Sequence, residues 1–96
     1  RQGRRQVARA EGGGGALMES TANRVRREFA THFGIELGEV TLQKAFVGDL
    51  DGDSLDRVEV VMRLEDEFGI VIDDDAAVKC HTVGDFVALV EQQVIR

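Results

Sequence analysis

The stretch SLDRVEVVMRLEDEFG, residues 54–69, has the spacing of an amphipathic helix that begins at Ser54 and stops at Gly69. Its apolar residues fall into two stripes, Val61, Leu64 and Phe68 in the first and Leu55, Val58 and Met62 in the second. A surface helix needs only one apolar stripe to pack on a core. The second stripe therefore either widens the core face or forms a docking face, and the spacing leaves both open.

Acidic residues around the second stripe favour docking. Apolar side chains inside an acidic rim suit a basic partner protein, whereas a merely solvated charged face is the alternative. The position of the stripe beside Ser54 also favours docking. The predicted docking residues are Leu55, Asp56, Val58, Glu59, Met62, Glu65 and Asp66.

Three more segments are predicted to be helical. The first opens at the cap candidates Ser20 and Thr21 and stops at Gly34. Residues 73–80 leave room for only a short third helix, and residues 82–95 form a fourth. The predicted buried stripe of the fourth helix is Val83, Phe86, Val87, Val90 and Val94.

A loop of nineteen residues, 35–53, joins the first two helices, and loops of this length are usually functional. Its apolar residues are expected to pin it to the core: Ile35, Leu37, Val40, Leu42, Phe46, Val47 and Leu50. Residues 69–73, GIVID, are strand-like but have no predicted partner strand. The fold class is therefore all-α, a four-helix bundle with a short third helix and a long loop between helices 1 and 2.

The composition excludes several classes of protein. The 96 residues suit one small domain, and the net charge of -6 argues against binding to a nucleic-acid backbone. The single Cys excludes an internal disulfide and fits a reducing compartment. No apolar run reaches membrane-spanning length. We expect an acidic, cytoplasmic monomer that binds no nucleic acid.

The first seventeen residues differ from the rest of the chain. They hold four Arg and one Glu, which gives them a net charge of +3. Because the net charge of the whole chain is -6, residues 18–96 carry a net charge of -9. The glycine run at residues 12–15 is typical of a flexible linker. A transit peptide or a nucleic-acid arm is the alternative for residues 1–17. We expect a flexible, non-native leader there, a natural start at Met18 and a folded domain over residues 18–96.

The long loop has an aspartate at every second position, as the first three ligands of a calcium loop do: Asp49, Asp51 and Asp53. Such a loop needs Gly at position 6 and Glu at position 12. Counted from Asp49 these positions hold Ser54 and Val60, and counting from Asp51 also fails. We therefore predict no specific metal site, and weak cation binding by the acidic cluster stays open.

Ser54 also lacks the sequence surroundings of a catalytic nucleophile, which needs a base and an oxyanion pocket. The two histidines, His32 and His81, are both predicted to be surface residues. The sequence therefore favours a protein that is not an enzyme.

The run DSL at residues 53–55, followed by VEVVMRLEDEFG at residues 58–69, resembles the acyl carrier protein family. FVGDL at residues 46–50 and TVGD at residues 82–85 add to the resemblance. It covers nearly everything from about residue 20 to residue 93, so the whole helical part of the chain is similar to this family.

The resemblance implies that Ser54, between the motif residues Asp53 and Leu55, carries 4'-phosphopantetheine that a phosphopantetheinyl transferase takes from coenzyme A. The arm would hold acyl chains as thioesters for fatty acid biosynthesis. Implied partners are acyl-chain synthases, reductases, dehydratases and acyltransferases with basic docking patches. The alternatives are a dedicated carrier for a specialised lipid or polyketide pathway, and an acidic helical interaction module whose Ser54 is never modified.

Carriers of this family can bury the acyl chain between helices. The lining that the resemblance implies here is Phe46, Val61, Leu64, Ile70, Ile72, Ala77, Cys80 and Phe86. Phe86 stands where family members often have a small residue, so we expect a shorter or less deeply buried chain. The alternative is that Phe86 only fills the core and that the chain enters elsewhere. Cys80 matches a core position and is not the working thiol.

The chain departs from the family pattern at several positions. Asp73 replaces the usual Pro before the third helix, so Asp73 or Asp74 is expected to cap it. Ala76 and Val78 stand where fatty acid carriers often have acidic residues. In the long loop, a DG pair at residues 51–52 replaces a common Gly-Ala pair.

Overall fold

The structure is a computed structural model that describes residues 19–94. The predicted leader, residues 1–17, and the predicted start at Met18 lie outside this part of the chain. The described residues contain a short 3-10 helix, Leu37–Glu39, no β-strand, and four α-helices: α1, Thr21–Phe33; α2, Ser54–Phe68; α3, Asp74–Val78; and α4, Val83–Val94. The predicted all-α bundle with a short third helix and a long loop before the second is confirmed.

Both ends of α1, the end of α2 and the start of α3 lie at the predicted residues. Ser20 caps α1 and Asp73 caps α3, each with a side-chain oxygen that accepts a backbone N–H. Gly34 and Gly69 end α1 and α2 in the left-handed conformation, with φ of 67° and 65°. Glycine adopts this conformation without a Cβ clash, which is why these two positions end the helices.

Aromatic rings from α1, the long loop and α4 form the centre of the core. The ring centroid of Phe29 lies 5.2 Å from that of Phe86 and 6.2 Å from that of Phe46. Val60, which belongs to neither stripe of the α2 sequence, is also fully buried. The predicted α4 stripe is confirmed for Val83, Phe86, Val87 and Val90. The side chain of Val94 lies outside the described part of the chain.

Three of the polar contacts between α1 and α2 recur every four residues along one seam. They join Arg24 to Glu67 at 2.9 Å, Arg63 to Glu28 at 3.3 Å, and His32 to Glu59 at 3.7 Å. Each step of four residues forward in α1 matches a step of four residues back in α2, so the two helices run antiparallel. Burial, followed by the nearby charge of Glu67, raises the pKa of Glu28.

The long loop is attached to the start of α4 by backbone hydrogen bonds. The N–H of Phe46 donates to the carbonyl of His81 at 2.7 Å, and the N–H of Val83 donates to the carbonyl of Lys44 at 3.0 Å. A third bond joins Phe46 to the turn that leads into α2, because the N–H of Gly52 donates to the carbonyl of Phe46 at 2.9 Å.

The prediction that apolar side chains pin the loop is confirmed only in part. Val40 and Phe46 are fully buried, and Ile35 and Leu50 pack against the core while partly exposed. The prediction was wrong for three exposed residues, Leu37, Leu42 and Val47. Backbone hydrogen bonds hold much of the loop instead, so its course does not require every apolar residue to turn inward.

The strand-like residues 69–73 form no strand in the described structure. Ile72 is buried and its N–H donates to the carboxylate of Glu65 at 2.9 Å, whereas Val71 is 81% exposed. This segment is a connection between α2 and α3, held by the buried Ile72, by Ile70 packed against the core and by the Glu65 carboxylate.

Candidate functional site

Ser54 is the first residue of α2 and is exposed. The Asp53 carboxylate accepts the N–H of Asp56 at 2.9 Å, and the Asp56 carboxylate accepts the N–H of Asp53 at 3.0 Å. This reciprocal capping box makes Asp53 the cap of α2. The Ser54 hydroxyl is therefore not the cap of α2, and the residue is exposed at the helix start.

The start of α2 suits a phosphodiester on Ser54. The first N–H groups of a helix have no partners within the helix, and the helix dipole favours negative charge at this end. An exposed hydroxyl at the first helical position presents its oxygen to another protein without breaking a bond inside this one. The residues present therefore fit a covalently attached phosphate group.

The turn before Ser54 depends on the order of Asp51 and Gly52. Asp51 has φ of 58°, a left-handed conformation that Asp tolerates better than most side chains do. Gly52 is buried, and a Cβ there would lie 2.4 Å from the ring of Phe46. In the pair Asp51 and Gly52, the glycine therefore stands at the position that has no space for a side chain. The position with positive φ is occupied by the aspartate.

The second apolar stripe of α2 is exposed, so its alternative role in widening the core is wrong. The exposed fractions are 63% for Leu55, 55% for Val58 and 57% for Met62. In the first stripe, Val61 and Leu64 are buried and Phe68 is half-buried. Burial of the first stripe leaves the second turned toward solvent.

The acidic rim of this face divides into two kinds of residue. Glu59 and Asp66 are exposed. Asp56 and Glu65 are half-buried and hold internal hydrogen bonds, Asp56 in the capping box and Glu65 to the N–H of Ile72. Changes to Asp56 or Glu65 therefore disturb the fold as well as the surface charge.

His32 is not a surface residue, which corrects the prediction for it. Its side chain is only 10% exposed, and its Nε2 lies 2.9 Å from Asp56 Oδ1. Its Nδ1 lies 3.7 Å from Glu59 Oε1, and its ring meets Phe33 edge to face. His81 is exposed as predicted. The sequence held one signal for this position of His32. It follows Arg24 and Glu28 at intervals of four residues, and both of these also contact α2.

The hydrogen bond from His32, followed by the N–H of Asp53, lowers the pKa of Asp56. A carboxyl whose pKa is lowered by folding stabilises the fold at any pH above its ordinary pKa of about 3.9. This stabilisation is lost as the pH falls through the lowered pKa. We expect His32→Leu to move the pKa of Asp56 upward, because the largest cause of its lowering is removed. NMR titration of the Asp56 carboxyl carbon measures this shift.

The matched control is His81→Leu, since His81 is exposed and is not among the groups that shift the pKa of Asp56. The control should leave the Asp56 titration unchanged. A wild-type pKa for Asp56 in His32→Leu would show that the contact between His32 and Asp56 does not hold in solution.

His32, Asp56 and Glu59 also bring three metal-ligating atoms within 4.8 Å of one another. The two ring nitrogens face different carboxylates, Nε2 toward Asp56 and Nδ1 toward Glu59. A metal would need one nitrogen and both carboxylates directed at a shared point. The arrangement is that of a histidine bridging two carboxylates.

The eight residues expected to line an acyl pocket all belong to the core cluster or pack against it, with Ile70 partly exposed. Phe46 and Phe86 are fully buried with their ring centroids 5.6 Å apart. A separate surface cleft of about 250 Å³ opens between the end of α1 and the long loop, beside Phe33 and Leu50. None of the eight expected residues lines that cleft.

Cys80 is buried, and burial followed by the charge of Asp85 raises the pKa of its thiol. Its Sγ lies 3.6 Å from the carbonyl oxygen of Ala76. A buried thiol with a raised pKa forms little of the reactive thiolate at neutral pH. Cys80 is therefore unsuited to hold a cargo as a thioester.

A protein-family model described as a phosphopantetheine attachment site matches residues 23–90. The match begins in α1, ends within α4, and includes the exposed Ser54 and its capping box. Within residues 19–94, no helix combines the length and apolar character needed to cross a bilayer. With its helical fold, this chain belongs to the acyl-carrier type of the phosphopantetheine attachment family, whose members bear 4'-phosphopantetheine covalently.

Proposed function

We propose that this chain is an acyl carrier protein of fatty acid biosynthesis, that Ser54 bears its arm, and that it has no catalytic activity of its own. The observation that carries the proposal is the exposed hydroxyl of Ser54 at the first position of α2, inside the family match. The proposal includes a carrier domain over residues 18–96, a monomeric state and a cytoplasmic location.

Loading begins when Ser54 Oγ attacks the phosphorus of coenzyme A that bears the pantetheine. An oxygen–phosphorus bond forms to Ser54, the pyrophosphate linkage breaks, and adenosine 3',5'-bisphosphate leaves. The hydroxyl proton passes to a base of the transferase. Asp53 holds the first turn of α2 in place during this step through its bond to the N–H of Asp56. Once attached, the arm supplies a thiol that carries acyl groups as thioesters.

The exposed stripe of Leu55, Val58 and Met62 is the proposed docking face for the transferase and for acyl-chain synthases, reductases, dehydratases and acyltransferases. Asp56, Glu59, Glu65 and Asp66 form its acidic rim. Opposite charge on a partner steers association, while the apolar stripe loses contact with water on binding. Basic patches on these enzymes complement the net charge of -6.

We expect Glu59→Lys and Asp66→Lys to slow association with a basic synthase or transferase, because these exposed rim charges act mainly on the association rate. Added salt should weaken binding of the wild type more than that of either variant, because screening acts on exposed charges. Surface plasmon resonance at two salt concentrations measures both effects.

Met62→Ala provides the contrast, because it removes apolar contact and no charge. It should weaken binding by a similar factor at both salt concentrations. Equal salt dependence for the wild type and the two lysine variants would contradict an electrostatic rim.

A dedicated carrier for a specialised lipid or polyketide pathway is the second candidate function. Ala76 and Val78 on α3 occupy positions that are often acidic in fatty acid carriers, and Val78 is 62% exposed. A partner that touches α3 here would meet apolar side chains instead of carboxylates. This difference favours partners other than the general fatty acid enzymes.

The test of the proposed function is loading of the full chain. The unmodified protein is incubated with coenzyme A, Mg²⁺ and a broad-specificity phosphopantetheinyl transferase, and then weighed by mass spectrometry. We expect the gain of one phosphopantetheine, with no gain when coenzyme A is omitted. A chain that stays unloaded would instead be an acidic helical interaction module.

A further inference from the structure

Arg57 on α2 contacts four of the eight residues proposed to line the acyl pocket, although no sequence motif singles it out. Its Nη1 donates to the carbonyl oxygens of Ala77 at 2.8 Å and Cys80 at 2.9 Å. Its guanidinium carbon lies 4.7 Å from the ring centroid of Phe46 and 5.8 Å from that of Phe86. One side chain thus joins α2 to the long loop, to the end of α3 and to α4.

The surroundings of the guanidinium favour its charge. Both hydrogen bonds are charge-assisted, and carbonyl groups at the end of a helix favour a cation. The faces of the two aromatic rings do so as well. Because α3 has only five residues, few backbone bonds of its own hold its last turn. Arg57 therefore ties that turn to α2.

Arg57 also stands close to the attachment residue. It follows Ser54 by three residues on the same helix, and residues three apart lie on the same helix face. An acyl chain on an arm that starts at Ser54 would meet Arg57 if it folded toward the boundary between α2 and α3, because Arg57 bonds the carbonyls of Ala77 and Cys80 there.

We propose that Arg57 is a specificity-determining residue that keeps the α2–α3 boundary closed and limits the length of acyl chain that enters the bundle. This inference rests on the proposed function, since it needs a chain attached at Ser54. A chain that enters must separate the guanidinium from the carbonyls of Ala77 and Cys80, which then lose a donor. Short chains stay outside the bundle, and long chains gain less from burial than they would without Arg57.

The first arm of the test uses the unmodified full chain and does not depend on loading. Arg57→Met keeps an apolar stem of similar size and removes the charge and the donors. Arg63→Met is the matched control, because Arg63 lies on the same helix but contacts Glu28 of α1. NMR should show faster amide hydrogen exchange at Ala77 and Cys80 in Arg57→Met than in the control. Wild-type exchange in Arg57→Met would overturn the proposal.

The second arm compares the melting temperatures of acetyl and decanoyl forms. We expect the decanoyl chain to raise the melting temperature of Arg57→Met by about 4 °C or more beyond its effect on the wild type, with Arg63→Met like the wild type. Arg57→Lys keeps the charge but not the paired donors. The decanoyl chain should therefore raise its melting temperature more than that of the wild type and less than that of Arg57→Met. It also serves as the test variant if Arg57→Met does not fold.

Two failures are distinguishable. Normal loading with equal decanoyl increments in the wild type and the Arg57 variants would overturn the role of Arg57 alone. Failure of the wild type to load would refute the proposed function, and the inference about acyl chains with it.

Discussion

Ser54→Ala should abolish the mass gain on incubation with coenzyme A and the transferase, because the hydroxyl that forms the phosphodiester is gone. It should leave the helical circular dichroism spectrum and the melting temperature nearly unchanged, since the cap of α2 is Asp53 and not Ser54. Intact-protein mass spectrometry and thermal melting of the same sample measure the two effects.

Ser20 is the matched control for Ser54, because it is the other serine of the chain. Its Oγ accepts the N–H of Asn23 and caps α1. Ser20→Ala should therefore lower the free energy of unfolding by about 1 kcal/mol while loading stays complete. Loading of Ser54→Ala would place the attachment elsewhere and refute the site.

Gly52→Ala should have the largest effect on stability among the substitutions considered. Its Cβ would lie 2.4 Å from the ring of Phe46, and that ring is fully buried against other aromatic rings. Overpacking of this kind costs about 1–3 kcal/mol. For a domain of this size each 1 kcal/mol lowers the melting temperature by about 4–8 °C. Because residue 52 precedes the capping box, loading of Ser54 should also slow.

Gly48→Ala is the control within the same loop. A Cβ at Gly48 would lie 3.7 Å from the nearest atom, which is an ordinary contact. It should change the melting temperature little. Thermal melting and the initial rate of mass gain are measured for both variants. A Gly52→Ala protein as stable as Gly48→Ala would mean that the Phe46 ring does not occupy this position in solution.

Part of the candidate site was predictable from local sequence. The position of Ser54 at a helix start follows from the apolar spacing of α2 and from Gly69 at its end, because both signals lie within one helix. The exposure of Leu55, Val58 and Met62 was not predictable from spacing, since two stripes on one helix fit a wide core face equally well. Burial of Val61 and Leu64 in the core cluster decided between the two roles.

The role of His32 in the α1–α2 seam was missed for a different reason. A histidine in the last turn of a helix is usually solvated, and its partners Asp56 and Glu59 lie on another helix. Only the antiparallel seam of α1 and α2 brings the three side chains together. Arg57 is similar, because its two carbonyl partners and both aromatic rings come from other parts of the chain.

By itself the sequence determined the helices, their capped ends, and the serine at the start of α2, because helix period, caps and glycine stops act over a few neighbouring residues. Only the tertiary structure decided which face of α2 meets solvent, why Gly52 must lack a side chain, and where Arg57 and His32 point. These properties depend on contacts between residues far apart in the chain. Such contacts exist only once the apolar stripes of several helices have buried one another.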